Sequence, residues 1–193
     1  MEVSLIGGVY SSRWDLALQF AAEQHDGQYR KGTRTPYIVH PMAVAFLLRS
    51  YGYPEEVQIS GLLHDVIEDT PCTIEVLKER FGAEVARTVG WCTEAEKNRP
   101  WEERKSAMIT ALSTAPAAAK AVATADKSHN LRTILDVWEL SGELVWERFS
   151  RGREAQLNYY QRVLKALENG FCDSILDELR CAVGMFEAKV NNG

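Results

Sequence analysis

The sequence predicts an all-α fold, a single bundle of about eight to ten helices without significant sheet. Three observations carry this. Apolar residues recur at helical spacing along nearly the whole chain. Proline and glycine punctuate that pattern at intervals suited to helices. Only Pro36-Tyr37-Ile38-Val39 reads as extended, and it is too short to be a sheet member.

Ser12-Arg13-Trp14-Asp15 opens the first helix with a hydroxyl cap and an acid three residues on, and Trp14, Leu18 and Ala21 follow on one face. The stretch from Gly27 to Pro36 interrupts it. Pro41 takes the first position of a second helix, whose apolar run from Met42 to Leu48 ends at Gly52. Pro54 opens a third that continues through Val57, Ile59, Leu62, Leu63 and Ile67. Thr73 to Phe81, closed by Gly82, forms a fourth; Ala83 to Cys92 forms a fifth; Pro100 introduces a sixth that ends before Pro116. Further helices fit 117–138, 143–168 and 174–190. The charges of 173–189 read as a solvated helix face, or alternatively as a partner surface.

A chain of 193 residues suffices for one core, so 1–193 is read as a single domain. With 46% apolar and 25% charged residues it is neither a disordered tail nor collagen-like. The net charge of −5 gives it no electrostatic reason to seek nucleic acid or an anionic membrane, so an anionic substrate needs a local basic patch. Neither a secretory signal nor a membrane span is read from the apolar pattern, which makes the cytoplasm the expected compartment. Cys72, Cys92, Cys172 and Cys181 form no CxxC pair and read as reduced core thiols.

Two of the four histidines stand beside carboxylates on apolar segments. In Leu62-Leu63-His64-Asp65-Val66-Ile67-Glu68-Asp69, a continuous helix places His64 and Glu68 on one face and Asp65 and Asp69 on an adjoining one. Carboxylates on a buried stripe require a cation, a buried base or a metal. His40, at the mouth of the next helix, offers a second nitrogen. Asp126 ends the small apolar run from Ala121 and also requires a positive partner. Two imidazoles and two carboxylates suit Mn²⁺, Fe²⁺ or Zn²⁺, with positions left open to water. Taken singly, each has a plainer reading: His64 as a core histidine satisfied by Asp65, His40 as a cap, Asp126 as an ion-pair partner of Lys127 or Arg132.

Three stretches taken together resemble a family. They are Arg30-Lys31-Gly32-Thr33-Arg34-Thr35-Pro36-Tyr37-Ile38-Val39-His40-Pro41, then Leu62-Leu63-His64-Asp65-Val66-Ile67-Glu68-Asp69-Thr70, then Ala125-Asp126-Lys127-Ser128-His129-Asn130-Leu131-Arg132-Thr133. Together they resemble the HD-domain metal-dependent phosphohydrolases, and more closely the hydrolase domain of the RelA/SpoT homologues, which degrade the alarmone (p)ppGpp. The likeness runs from Trp14 to Leu167, with the C-terminal helix 174–190 beyond it. The loop from Arg30 to His40 is one residue longer than the usual form, and Ser128 stands where an apolar residue is usual.

The resemblance implies that His40, His64, Asp65 and Asp126 bind one Mn²⁺, and that Glu68 and Asp69 orient and deprotonate the attacking water. It further implies that Arg30 contacts the guanine face and that Asn130 and Thr133 contact the nucleotide; Lys31 supplies point charge. The expected activity is a (p)ppGpp 3′-pyrophosphohydrolase, leaving GDP or GTP and pyrophosphate, with no room for a synthetase domain beside the three motifs. The alternatives are the same mechanism on a nucleoside monophosphate or NADPH, and a nucleotide-binding regulator that has lost turnover. His129 is expected to support the site or the fold rather than hold the ion, and His25 to lie at the surface or a helix end. Trp138, Trp146, Tyr159 and Tyr160 read as core packing.

Overall fold

Proline, glycine and hydroxyl caps set most of the helix boundaries. The structure, a computed structural model, describes residues 11–94 and 98–192. The reading of the first residues as free of a signal therefore lies outside the described residues. Those described form ten α-helices: α1 Ser12–Gln24, α2 Val39–Ser50, α3 Glu55–Leu63, α4 Val66–Asp69, α5 Ile74–Phe81, α6 Ala83–Cys92, α7 Trp101–Thr114, α8 Ala117–Ser141, α9 Arg153–Glu168 and α10 Leu176–Asn192. A 3₁₀ helix, Gly142–Arg148, lies between α8 and α9. The extended element found among the described residues is an isolated bridge between Tyr29 and Pro36. The all-α expectation holds. No helix among the described residues is long and apolar enough to cross a membrane.

Several boundaries depart from the sequence reading, each for a local reason. The cap of α1 is Ser11, whose Oγ accepts the Trp14 N–H at 3.2 Å; Ser12 is already helical. Helix α2 starts at Val39, so Pro41 sits third, where its missing N–H costs nothing because the first-turn donors lack helical partners anyway. Pro36–Val39 is accordingly not extended throughout, since Tyr37 and Ile38 turn into the helix. The third helix does not run to Ile67. It stops at Leu63, and Asp65 (φ −96°, ψ −8°) steps the chain into the short α4. Nor is 143–168 one helix, because Gly142 takes a positive φ of 58° that ends α8, and Phe149–Gly152 separates the 3₁₀ turns from α9. Helix α8 runs three residues beyond 138, and α10 starts and ends two residues later than 174–190.

Helix α8 is the axis of the molecule. Ala121, Val122, Thr124 and Ala125 are fully buried on it, because side chains this small let neighbouring helices approach from every side. One core cluster packs Leu131, Trp138, Val163, Leu167, Leu179 and Phe186 between α8, α9 and α10. The other packs Phe20, Ile59, Leu62, Leu77, Phe81 and Val85 between α1, α3, α5 and α6. Tyr159 and Tyr160 are buried, and Trp146 stacks on Phe186 at 5.6 Å, so the aromatics do pack as core. The cysteines depart from expectation: Cys72 and Cys92 are half-buried and Cys172 and Cys181 exposed, all free thiols.

Arg13 ties α1 to its neighbours, donating to Glu56 Oε1 and to the Phe81 carbonyl, each at 2.7 Å. Helices α2 and α3 meet at Gly61, where a Cβ would lie 2.6 Å from Leu48 Cδ1, 3.3 Å from Val44 Cγ1 and 3.4 Å from the Ala45 Cα. This contact holds α2, which carries His40, against the end of α3, which carries His64. Gly61→Val should cost about 2 kcal/mol and lower Tm by about 6 °C; thermal unfolding checks it, and an unchanged Tm would show that the helices separate freely.

Candidate functional site

Four sequence-distant side chains meet where α2, the α3–α4 step and α8 converge. His40 sits in the first turn of α2, His64 at the end of α3, Asp65 in the step and Asp126 midway along α8. His40 and His64 are 1% and 2% exposed and Asp126 6%. One nitrogen from each imidazole and an oxygen of Asp65 lie within 4.8 Å of one another. Asp126 closes a further side, its Oδ1 3.2 Å from His40 Nε2 and 3.7 Å from His64 Nε2. Asp65 Oδ2 is 3.1 Å from His64 Nε2 and 3.5 Å from His40 Nε2. Atoms about 2.0 to 2.2 Å from one ion stand about 3 to 3.5 Å apart, and three of these four nitrogen–oxygen distances fall in that range, with the fourth at 3.7 Å.

The tautomers suit that use. His64 Nδ1 bonds the Gly61 carbonyl at 2.8 Å, so in the neutral ring it carries the proton and Nε2 keeps its lone pair. His40 Nδ1 bonds His129 Nδ1 at 2.8 Å, a contact that places His129 behind the cluster, as expected for a supporting residue. Both Nε2 atoms are buried without a hydrogen-bond partner. Buried nitrogens facing two carboxylates fit a divalent cation, which is the electropositive centre those four groups share.

The ionisation pattern has the same origin. Burial lowers the proton affinity of His40, and His64 beside it adds to this. Burial opposes charge on His64 too, but Asp65 and Asp126 outweigh it and raise its pKa. For Asp126, burial is outweighed by Lys127, whose Nζ lies 2.6 Å away, and by the two histidines, so its pKa falls well below the usual carboxylate range. Asp65 is likewise held low by His64 and His40 against its burial. Burial, His40 and Arg30 push His129 down to about 4, which keeps it neutral.

Glu68 and Asp69 border the same cavity, of about 160 Å³, that opens over Asp65 and Asp126. Glu68 accepts the Glu94 N–H at 3.0 Å, and its burial raises its pKa. The Tyr37 hydroxyl donates to Asp65 Oδ2 at 2.7 Å and lies 3.2 Å from Asp69 Oδ2, linking the cluster to the second acid. Sequence reasoning gave Tyr37 no role, although it stands three residues before His40. Beyond Glu68, Arg104 and Lys105 of α7 pair with the buried Glu94, another group the sequence reading passed over because its partners are ten and eleven residues apart.

The basic loop folds over an adjoining cavity of about 490 Å³. The Tyr29–Pro36 bridge and a Gly32 φ of 70° close it into a tight turn. Arg30 Nη2 donates to Asn130 Oδ1 at 2.7 Å, and Asn130 Nδ2 donates in turn to Asp126, so base-side and metal-side groups are mechanically linked. Thr133 lines this cavity while its hydroxyl donates to the His129 carbonyl at 2.9 Å, and Lys31 lies 5.4 Å from the Phe149 ring. All ten site residues singled out from the sequence therefore lie in or around two connected cavities. His25 caps α1 as expected for a helix end, but it is buried rather than at the surface, its ring 4.7 Å from that of Tyr37 and tilted 34° to it.

Comparison with known proteins relates the chain to a family. A family model described as the HD domain matches residues 17–139. The guanosine-3′,5′-bis(diphosphate) 3′-pyrophosphohydrolase of Danio rerio is 41% identical over 120 residues, 61% of this chain and 66% of the relative. The enzyme of the same name from Haemophilus influenzae is 40% identical over 121 residues, 59% of this chain but 17% of the relative, so the chain spans only part of the length of these proteins. Among solved structures, one described as a metazoan ortholog of SpoT that hydrolyzes ppGpp superposes with a TM-score of 0.78 at 26% identity, covering 92% of this chain and 97% of that one. A protein from Listeria monocytogenes EGD-e superposes with a TM-score of 0.71 at 37% identity, covering 77% of this chain and 99% of that one. With the family model matched over residues 17–139, more than half of the sequence, the chain belongs to the HD-domain family.

Proposed function

We propose that this protein is a Mn²⁺-dependent guanosine-3′,5′-bis(diphosphate) 3′-pyrophosphohydrolase, converting (p)ppGpp to GDP or GTP and pyrophosphate. The observation that carries the reading is the pair of buried, unpartnered Nε2 atoms of His40 and His64 facing Asp65 and Asp126, with Glu68 and Asp69 bordering the cavity above them. The names of the similar proteins support the substrate.

His40, His64, Asp65 and Asp126 would hold the ion. A divalent cation there supplies Lewis acidity, bringing the pKa of a water toward neutrality and polarising a phosphoryl oxygen. Glu68 accepts a proton from the attacking water, a role that its raised proton affinity favours near neutral pH. Asp69, held through Tyr37, orients that water. The water oxygen bonds to the phosphorus attached to the ribose 3′-oxygen, the bond from that oxygen to phosphorus breaks, and the 3′-oxygen leaves with a proton. Arg30 stacks on or forks to the base, as a planar guanidinium can, while Asn130 and Thr133 fix the ribose side and Lys31 adds charge.

Incubating Mn²⁺-loaded protein with ppGpp, nucleoside monophosphates and NADPH tests the reading directly. Pyrophosphate and GDP from ppGpp are expected, and orthophosphate from another nucleotide as the sole product would overturn it. Asp126→Asn should release the metal and abolish turnover with the helical content kept, whereas Glu68→Gln should retain the metal and lose about 10² to 10⁴ in kcat. Metal content measured beside rate separates the two roles, and identical behaviour of both variants would refute them.

The pH dependence has a defined sign. Glu68 works as its carboxylate, and its pKa is raised, so activity falls as the medium becomes more acid, beginning above the ordinary glutamate value of about 4.3. Protons also compete with the metal for the imidazoles, so added Mn²⁺ should restore part of the activity lost below about pH 6. A profile that Mn²⁺ leaves untouched would count against the histidine ligands.

A further inference from the structure

The larger cavity carries more positive charge than recognition of a base and ribose requires. Arg30, Lys31 and Arg148 all line it, and no carboxylate does among the described residues, on a chain whose net charge is −5. Arg30 is linked to the neutral Asn130. Among the described residues neither Lys31 nor Arg148 has an ion-pair partner, while Arg151, Arg153 and Arg180, which follow Arg148 in the chain, are each paired with an acid. Two unpaired cations on one cavity wall repel each other, and an anion placed between them removes that repulsion.

Among the described residues Arg148 is also held in place without an acid. It ends the 3₁₀ helix, is half-buried, and its side chain lies against Gly32 so closely that a Cβ there would fall 2.8 Å from its Cδ and Nε. The absent side chain at Gly32 is what admits it, and the same residue's positive φ makes the turn that carries Arg30 and Lys31. A guanidinium held by packing with its donors uncommitted is prepared for a phosphate, which its planar fork fits. Its position matters as well. Arg30 borders both the cluster cavity and the larger one, whereas Arg148 borders only the larger, away from Glu68 and Asp126.

We propose that Arg148, with Lys31, binds a second anionic group of the substrate, the 5′-phosphates of the nucleotide, while the other phosphates react at the cluster. This rests on the nucleotide reading above and adds to it a residue, Arg148, that would hold the 5′ end of the substrate. A substrate with its only phosphate at the reacting end leaves this wall uncompensated.

The test is a binding measurement that needs no turnover. Calorimetric titration with GDP, ADP, guanosine and adenosine is carried out on the natural protein, Arg148→Gln and Arg148→Lys, with unfolding curves to confirm an unchanged fold. At least one nucleoside diphosphate is expected to bind tighter than its nucleoside. Arg148→Gln should weaken that diphosphate about tenfold and leave the nucleoside unchanged, with Arg148→Lys between the two. An equal loss for diphosphate and nucleoside, no loss, or no binding of either diphosphate would overturn the proposal. If the expected pattern appears while ppGpp is not hydrolysed, the anion site stands and the assigned reaction fails.

Discussion

The site depends on one constraint: three buried ionisable groups, His40, His64 and Asp126, and the partly buried Asp65 lie within contact of one another, with the unpaired histidine nitrogens facing the carboxylates. A buried carboxylate without compensation costs several kcal/mol, and so does a buried imidazole nitrogen without a partner. Here the outward-facing atoms of the group are tied off, His64 Nδ1 to the Gly61 carbonyl, His40 Nδ1 to His129 and Asp126 Oδ2 to Lys127. What remains uncommitted is the inner pair of nitrogens, His40 Nε2 and His64 Nε2, which face Asp65 Oδ2 and Asp126 Oδ1, oxygens that also accept from Tyr37 and Asn130. Apolar side chains of similar volume would fill this space at lower cost, so the surrounding helices must offset the burial of these groups.

Those helices meet it in different ways. Helix α8 places a charge at its middle because the alanines, valine and threonine before Asp126 let neighbours close around it. Helix α2 is brought against α3 through Gly61, so the same glycine whose carbonyl fixes the His64 tautomer also sets the distance to His40. The step at His64 and Asp65 turns both side chains toward one point, which a continuous helix would have spread over two faces.

Charge is partitioned between the two connected cavities. The cluster cavity is lined by Asp65, Glu68, Asp69, Glu94 and Asp126, a surface suited to a cation and a proton. Among the described residues the larger cavity is lined by cations, aromatic rings and uncharged side chains, without acids. Arg30, Tyr37 and Asn130 belong to both walls, and their hydrogen bonds and ring contact connect them to Asp126 and Asp65. A ligand spanning both spaces therefore meets opposite electrostatic environments at its two ends, which orients it before any chemistry.

Helix number, helix type and most termini were readable from the chain alone, because proline, glycine and hydroxyl caps act within a few residues and need no partner from elsewhere. Ala83–Cys92 and the start of α7 after Pro100 fall where local chemistry puts them. The metal-type residues were also legible, since a charge in an apolar run such as Ala121–Asp126 is conspicuous in sequence. The break after Leu63, the burial of His25, the bridging hydroxyl of Tyr37 and the seat of Arg148 on Gly32 were not. Each depends on contacts between residues far apart in the chain, whose cost or gain exists only once the helices have packed. Sequence by itself thus determined which groups the protein owns and the helices that carry them, while tertiary structure decided which atoms of those groups were left facing one another.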